Sequence, residues 1–159
     1  MRNCLNSNHV CADATYKLIW QGYPVLIVGT TDKQCAFHPF GVALCINEQT
    51  NDFEFIFKSV QLTVEKLYNI NYCPIILVAD ASGAITNGFI KVFNVIEKRI
   101  MCWFHVTKNI DSQLNAINNK KMKAELRQDI EFMQLTKNET IFDAAIKLFQ
   151  KNGNQRNVR

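Results

Sequence analysis

A run of five apolar residues, Ile75 to Ala79, ends at Asp80. The length of the run suits a strand, and its unbroken apolar character is typical of a strand buried on both faces, as in a parallel sheet. The run therefore predicts a sheet that is covered by other elements and belongs to the α/β class.

Three strand-like patterns precede this run: Val10–Trp20, Val25–Thr31 and Ala36–Ile46. Short turns join them, which predicts an antiparallel meander. Pro39 and Gly41 lie inside the third pattern and indicate a β-bulge or an edge strand.

Helical patterns alternate with the later strands. The first helix is expected to begin at Asn51, with Glu54 as the acid of a capping box. The remaining predicted elements are a helix from Ser82-Gly83, a fifth strand over Arg99–Trp103, helical structure from His105, and a last helix over Glu139–Gln150 with Asn138 as its cap. The order β-β-β-α-β-α-β-α predicts a mixed five-stranded sheet with helices on its faces and a helical extension.

Two aspartates stand out in this order. Asp13 lies inside the first strand, where Asp is uncommon, and Asp80 follows the fourth. If the first strand is central and the fourth is parallel beside it, the two carboxylates face one another across adjacent strands. Each Asp alone is equally compatible with an exposed strand residue or a turn cap. A facing pair would suit Mg²⁺, which takes one or two carboxylates and keeps sites for water and phosphate.

Four segments resemble the Mutator-like (MULE) transposase domain family. They begin with Asp13-Ala14-Thr15-Tyr16-Lys17 and a third-strand segment over residues 37–44. Val78-Ala79-Asp80 is followed by Ala84-Ile85 and by residues 90–93. Met101-Cys102-Trp103-Phe104-His105, with trailing Lys108-Asn109, is similar to the family's C-x-x-H stretch.

The resemblance implies a ribonuclease-H-like fold and an Asp-Asp-Glu triad that uses Mg²⁺ or Mn²⁺ to cut DNA and transfer strands. Asp13 and Asp80 match the first two acids. It also implies DNA partners (transposon ends and target DNA), a possible homo-oligomer of the complete transposase, and a nuclear location. The chain ends 54 residues after His105, and Glu125, Glu131 and Glu139 do not have the setting expected of the third acid. We therefore expect a fragment that lacks the third acid and has little activity alone.

Cys102 and His105 match the C-x-x-H pair, and three roles stay open: local packing with a hydrogen bond that positions the helix, positioning of DNA, or metal binding. Cys35 and His38 form a second such spacing. A four-ligand zinc site from both pairs is not expected, because residues three apart on a strand point to opposite faces.

Basic residues are concentrated in the second half of the chain. Residues 1–80 carry a net charge of −2 and residues 81–159 carry +6. The residues proposed for nucleic-acid contact are Lys108, Lys120, Lys121, Lys123 and Arg127, which would bind phosphates independently of sequence; a solvated helical face is the alternative. Trp20 and Trp103 are expected in the core or at its edge.

The six cysteines form no C-x-x-C pair, and no apolar run approaches the roughly 18 residues of a membrane span. A reduced, intracellular, non-membrane protein is expected. The predicted parts are a lead-in (residues 1–9), a transposase core (10–110), a helical segment (111–151) and a polar tail (152–159).

Two other functions remain open from the residues alone. A degenerate or co-opted domain would bind DNA or a protein partner without catalysis. A cellular nuclease of the same fold would explain the two aspartates, but it would not explain the Cys102–His105 stretch.

Overall fold

The computed structural model describes residues 7–16 and 18–156, with side chains up to Gly153. Most of the predicted lead-in, Lys17 and the last three residues of the predicted tail lie outside the described residues. The chain divides into two compact units, Met1–Val106 and Thr107–Arg159.

The element order agrees with the order predicted from the sequence. The strands are β1 (His9–Thr15), β2 (Val25–Thr31), β3 (Phe37–Leu44), β4 (Ile76–Ala79) and β5 (Lys98–Met101). The helices are α1 (Thr50–Tyr68), α2 (Gly83–Phe93), α3 (Trp103–Leu114), α4 (Lys120–Leu135) and α5 (Glu139–Arg156). Two bounds differ clearly from the prediction: β1 ends at Thr15 and not at Trp20, and α5 continues past Gln150 into the predicted tail.

The five strands form one mixed sheet in the order β3-β2-β1-β4-β5. The first three strands pair antiparallel, while β1 with β4 and β4 with β5 pair parallel. The central position of β1 and its parallel neighbour β4 are as expected. Because β1, β4 and β5 run the same way, their last residues meet at one end of the sheet. We call this the acidic end, since Asp13 and Asp80 lie there.

The bulge predicted in the third strand is present. Val28 pairs with Gly41 but the next residue, Gly29, pairs with Pro39, so Phe40 is an extra residue in β3. Since β3 is an edge strand, Pro39 is tolerated there without breaking the sheet.

One face of the sheet packs against α1 and α2. The buried core residues on the strands include Val10, Ala12, Leu26, Val28, Leu77 and Ala79. Phe57 of α1 meets Phe89 of α2 edge to face, with ring centroids 5.6 Å apart. The two helices approach closely at Gly88, where an added Cβ would lie 2.6 Å from the Cβ of Phe53.

The predicted cap of α1 is wrong. The helix is capped at Gln49, whose backbone N–H donates to Oδ2 of Asp52 at 2.9 Å. Asn51 and Glu54, the predicted capping residues, instead accept hydrogen bonds from Nζ of Lys91 on α2, at 3.1 and 2.8 Å. A contact between helices therefore uses the side chains that the local pattern had assigned to the cap. For α2, the predicted start at Ser82-Gly83 is confirmed.

The second unit contains most of α3 together with α4 and α5. The predicted cap of the last helix is confirmed, because Oδ1 of Asn138 accepts from the backbone N–H groups of Thr140 and Ile141. Asn119 caps α4 in the same way, with Lys121 and Met122 as donors. Of the helices in the described part of the chain, none is long and apolar enough to span a membrane.

Candidate active site

Asp13, in β1, and Asp80, the first residue after β4, lie at the same end of two neighbouring parallel strands. Cys11 of β1 pairs with Val78 of β4, and each aspartate comes two residues further along its strand direction. Ala12 and Ala79, the residues just before them, are buried in the core at 4% and 1% exposure. Successive side chains of a strand alternate between faces. Asp13, which follows Ala12 in β1, therefore belongs to the face opposite α1 and α2, while Asp80 is the first residue after β4.

Asp80 is held at both its side chain and its main chain. Its Oδ1 accepts a hydrogen bond from the backbone N–H of Ser82 at 2.8 Å. The guanidinium group of Arg99 donates to the main-chain carbonyls of Asp80 and of Ala79, the latter at 3.1 Å. The bend where the chain leaves β4 is therefore fixed by an arginine from the neighbouring strand.

Arg99 has further partners that fix its own position. Its Nε donates to Oγ1 of Thr86 on α2 at 3.1 Å, and it also donates to the carbonyl of Ile100 at 2.7 Å. Burial lowers the pKa of Arg99, and the charge of Asp80 opposes that shift. Sequence reasoning missed this residue, and its only signal was an arginine inside a short strand pattern.

The C-x-x-H segment contacts Asp13 and the residue that precedes Asp80. The backbone N–H of Cys102 donates to the carbonyl of Ala79 at 2.8 Å, next to Asp80. The carbonyl of Cys102 accepts from the N–H groups of His105 and Val106, which begins α3. Nε2 of His105 then lies 3.6 Å from Oδ1 of Asp13. The motif thus joins β5 to α3 while it contacts the ends of β4 and β1.

The two ring nitrogens of His105 differ in their surroundings. Its Nδ1 is buried and has no hydrogen-bond partner within the described structure. The 3.6 Å separation of Nε2 from Asp13 is longer than a hydrogen bond and is an electrostatic contact. The side chain of Asp13 is 50% exposed and that of His105 is 23% exposed. The pair therefore lies at the surface of the acidic end.

The second Cys-x-x-His pair, Cys35 and His38, lies at the end of the sheet opposite the acidic end. Cys35 is exposed in the turn between β2 and β3, and Nε2 of His38 contacts Oδ2 of Asp32 at 2.8 Å. Since β2 runs antiparallel to β1, this turn is at the opposite end from Asp13. The four residues therefore lie in two pairs at opposite ends of the sheet. The described cysteines are all free thiols.

The residues proposed to bind phosphate all lie in the second unit. Lys108 is exposed on α3, and Lys120 and Lys121 are exposed in the first turn of α4. Nζ of Lys123 donates to Asn115 at 2.6 Å. Arg127 is paired with both Glu131 and Asp111, and its hydrogen bonds to these carboxylates raise its pKa. Three of the five residues are therefore open to solvent, while Lys123 and Arg127 have partners within the unit.

The expectation that both tryptophans lie in the core or at its edge is wrong for Trp20. Trp20 is 100% exposed in the connection between β1 and β2, and Trp103, the first residue of α3, is 37% exposed. The strand pattern that suggested burial extended to Trp20, but β1 ends at Thr15. Trp20 therefore lies in a turn that contributes no side chain to the core.

The donor set at the acidic end suits a hard cation. Asp13 and Asp80 offer carboxylate oxygens, and Mg²⁺ uses one or two carboxylates while water and phosphate complete its shell. Among the described residues, no group of three or more His, Cys, Asp or Glu side chains is arranged to hold a metal. Glu125, Glu131 and Glu139 are all in the second unit, on α4 and α5. Within the first unit, Asp13 and Asp80 are the carboxylates at the ends of the paired strands β1 and β4.

Comparison with known families gives a match that covers more than half of the chain. The sequence model of the MULE transposase domain matches residues 9–109. The chain belongs to the MULE transposase domain family. The match runs from the first residue of β1 into α3 and includes Asp13, Asp80, Cys102 and His105. No curated protein matches the chain. The domain has a transposase-related function and, in general terms, DNA as its partner.

Proposed function

We propose that this MULE domain supplies two of the metal-binding acids of a ribonuclease-H-like transposase core, and that these acids are Asp13 and Asp80. The observation that carries the proposal is that each aspartate lies two residues beyond the Cys11–Val78 pair of the parallel strands β1 and β4, so both come to the same end of the sheet. The strand order β3-β2-β1-β4-β5 also supports that fold.

Each residue of the acidic end would have a separate task. Asp13 and Asp80 would hold Mg²⁺ or Mn²⁺ through their carboxylates. When bound, the metal supplies a Lewis acid that polarises a DNA phosphodiester and lowers the pKa of a bound water. The backbone N–H of Ser82 holds the side chain of Asp80, and Arg99 holds its main-chain carbonyl. The carboxylate therefore needs little reorganisation to accept the ion.

In the complete transposase we propose phosphodiester cleavage followed by strand transfer, at transposon ends and in target DNA. That enzyme would work in the nucleus and could act as a homo-oligomer. With only Asp13 and Asp80 as its acids, the 159-residue chain is expected to have little or no cleavage activity alone. The basic residues Lys108, Lys120 and Lys121 would add salt-dependent contacts to DNA phosphates.

Metal binding can be measured without any cleavage. Mn²⁺ added to isotope-labelled protein should broaden the amide signals around Asp13 and Asp80 first, because paramagnetic broadening is strongest near the ion. Asp13→Asn and Asp80→Asn should each remove the effect. Asp32→Asn, at the opposite end of the sheet, is the matched control and should leave it unchanged.

A nicking assay on DNA carrying transposon ends tests whether cleavage depends on Asp13 and Asp80. Robust cutting that survives both substitutions would contradict the role of these residues. Retention of DNA without any broadening at the two aspartates would instead indicate a degenerate, non-enzymatic domain.

A further inference from the structure

The connection between β1 and β2 carries apolar side chains into solvent at the acidic end. Trp20 is 100% exposed, Leu18 is 61% exposed and Tyr23 is 47% exposed. Exposed apolar residues clustered on one short segment commonly mark a contact surface. The position of this segment, directly after the strand that carries Asp13, suggests what it contacts.

The connection is tied to the acidic end at both of its ends. Thr15, two residues after Asp13, pairs with Val25, so the chain leaves and re-enters the sheet at that end. Pro24 is buried, and its carbonyl accepts from the N–H of Cys45 at 3.1 Å. The connection therefore starts and stops beside the proposed metal-binding acids.

The tip of the connection is a hydrogen-bonded turn. The N–H of Gly22 donates to the carbonyl of Ile19 at 3.2 Å, and Gly22 has a φ of 74°, which favours glycine. Trp20 and Gln21 are the two central residues of this turn, and both are exposed. The indole is therefore presented outward by a short turn and is not folded back against the sheet.

We propose that Trp20 is a stacking site for an unpaired DNA base next to the phosphodiester bound at Asp13 and Asp80. An indole offers a flat aromatic face, and stacking of bases on such side chains is tolerant of sequence. Residues 16–24 contain one lysine and no acidic residue, so the segment itself does not repel a phosphate backbone. The inference rests on the proposed function, because the acids define where the DNA would lie.

Trp20 is a better candidate than its aromatic neighbours. Desolvation and the neighbouring Glu48 carboxylate raise the pKa of Tyr16, and its side chain is 53% exposed, so its ring offers less free surface than the fully exposed Trp20. Tyr23 is only 47% exposed and adjoins the buried Pro24. A base within a duplex has its faces covered by neighbouring bases. The site would therefore prefer a single strand, a terminal base or a base displaced from the helix.

Intrinsic fluorescence can report on Trp20 directly in the full chain. Trp103→Phe leaves Trp20 as the only tryptophan, and titration with a twelve-nucleotide oligothymidine should quench its emission. An oligomer of the same length and charge with abasic sites should give little quenching, and a blunt duplex should give less than the single strand. Equal quenching by the abasic oligomer would overturn the proposal.

Affinity measurements test the contribution of the side chain. Trp20→Ala should weaken binding of the oligothymidine roughly tenfold with an unchanged salt dependence, because stacking is lost while phosphate contacts remain. Phe55→Ala is the control, since Phe55 is a 65% exposed aromatic on α1, which packs against the opposite face of the sheet. An unchanged affinity of Trp20→Ala for the oligothymidine would overturn the proposal. So would a variant that differs from the unmodified protein only in its oligomeric state, measured by sedimentation.

Failure of this inference can be separated from failure of the proposed function. Quenching and affinity need no metal, whereas the proposed function depends on Mn²⁺ broadening at Asp13 and Asp80. If base-dependent quenching is absent but Mn²⁺ broadening is seen, the stacking inference is wrong. If the broadening is absent but the quenching is seen, the proposed function is wrong.

Discussion

Nε2 of His105 lies 3.6 Å from Oδ1 of Asp13, so the first turn of α3 reaches the strand that begins the domain. The same imidazole has a buried Nδ1 that lacks a partner among the described residues. A buried polar atom without a hydrogen bond lowers stability, and native proteins tend to keep such atoms where function requires them. The contact therefore predicts a conflict between stability and function at this position.

We expect His105→Leu to raise the free energy of unfolding by about 1 kcal/mol, because leucine removes the unsatisfied nitrogen. The same change should weaken Mn²⁺ binding severalfold, since Asp13 loses its polar neighbour. Chemical denaturation and Mn²⁺ titration measure the two effects separately. A His105→Leu protein that is less stable and still binds Mn²⁺ normally would mean that His105 serves packing alone.

Arg99 should matter for both stability and metal affinity. Arg99→Met removes the guanidinium donors to the carbonyls of Ala79 and Asp80, of which Ala79 keeps the N–H of Cys102, and it is expected to lower the free energy of unfolding by about 2 kcal/mol. Arg99→Lys should recover only part of the lost stability. A planar guanidinium group donates to Thr86 and to both carbonyls at once, whereas a lysine ammonium group does not.

Lys98→Met is the matched control for Arg99, since Lys98 is the exposed basic neighbour on β5. It should unfold like the unmodified protein. A positioning role for Arg99 also requires weaker Mn²⁺ binding in Arg99→Lys under conditions where that variant is folded. Normal Mn²⁺ affinity there would limit Arg99 to a structural role.

Gly88 should not tolerate a methyl group. An added Cβ would lie 2.6 Å from the Cβ of Phe53 and 2.9 Å from the backbone N of Glu54, so α1 and α2 would have to separate. Gly88→Ala is expected to lower the free energy of unfolding by about 1–3 kcal/mol, despite the better helix propensity of alanine. Gly83→Ala in the same helix meets no atom within 4 Å and should be neutral or slightly stabilising.

The turn before β3 should depend on pH through Asp32. Hydrogen bonds from His38 and from the backbone of Ala36 and Gln34 lower the pKa of this carboxyl, although burial opposes them slightly. Because the folded pKa is below the unfolded value of about 3.9, the stabilisation is complete above that value and is lost as the pH falls through the folded pKa.

The stability difference between the unmodified protein and Asp32→Asn should therefore be constant from about pH 7 to pH 5 and shrink below about pH 4. Thermal unfolding at each pH measures it. Asp143→Asn, at an exposed position on α5, is the control and should show no comparable trend. A difference that grows on acidification would contradict the assigned direction.

Much of the fold was predictable because its signals are local. The alternation of strand and helix patterns predicted the element order, Pro39 and Gly41 predicted the bulge, and Asn138 predicted the start of α5. Asp13 was noticed because aspartate is uncommon inside a strand. Each of these signals depends on residues within a few positions of one another.

Other features depend on residues that are far apart in the chain. Asn51 and Glu54 could not be recognised as partners of Lys91, because nothing local distinguishes an inter-helix contact from a cap. Trp20 satisfied a strand pattern, yet the strand stops five residues earlier, where its pairing with β2 ends. Such positions are decided by which surfaces meet after the chain has folded.

The sequence by itself determined the strand and helix order and the identity of the two aspartates, since periodicity and residue type are local properties. Only the tertiary structure decided that Arg99 holds the main chain at Asp80, that His105 reaches Asp13, and that Trp20 is presented to solvent. Those relationships arise from the pairing of β1 with β2 and β4 and of β4 with β5, and the register of these pairs is set by packing between distant segments.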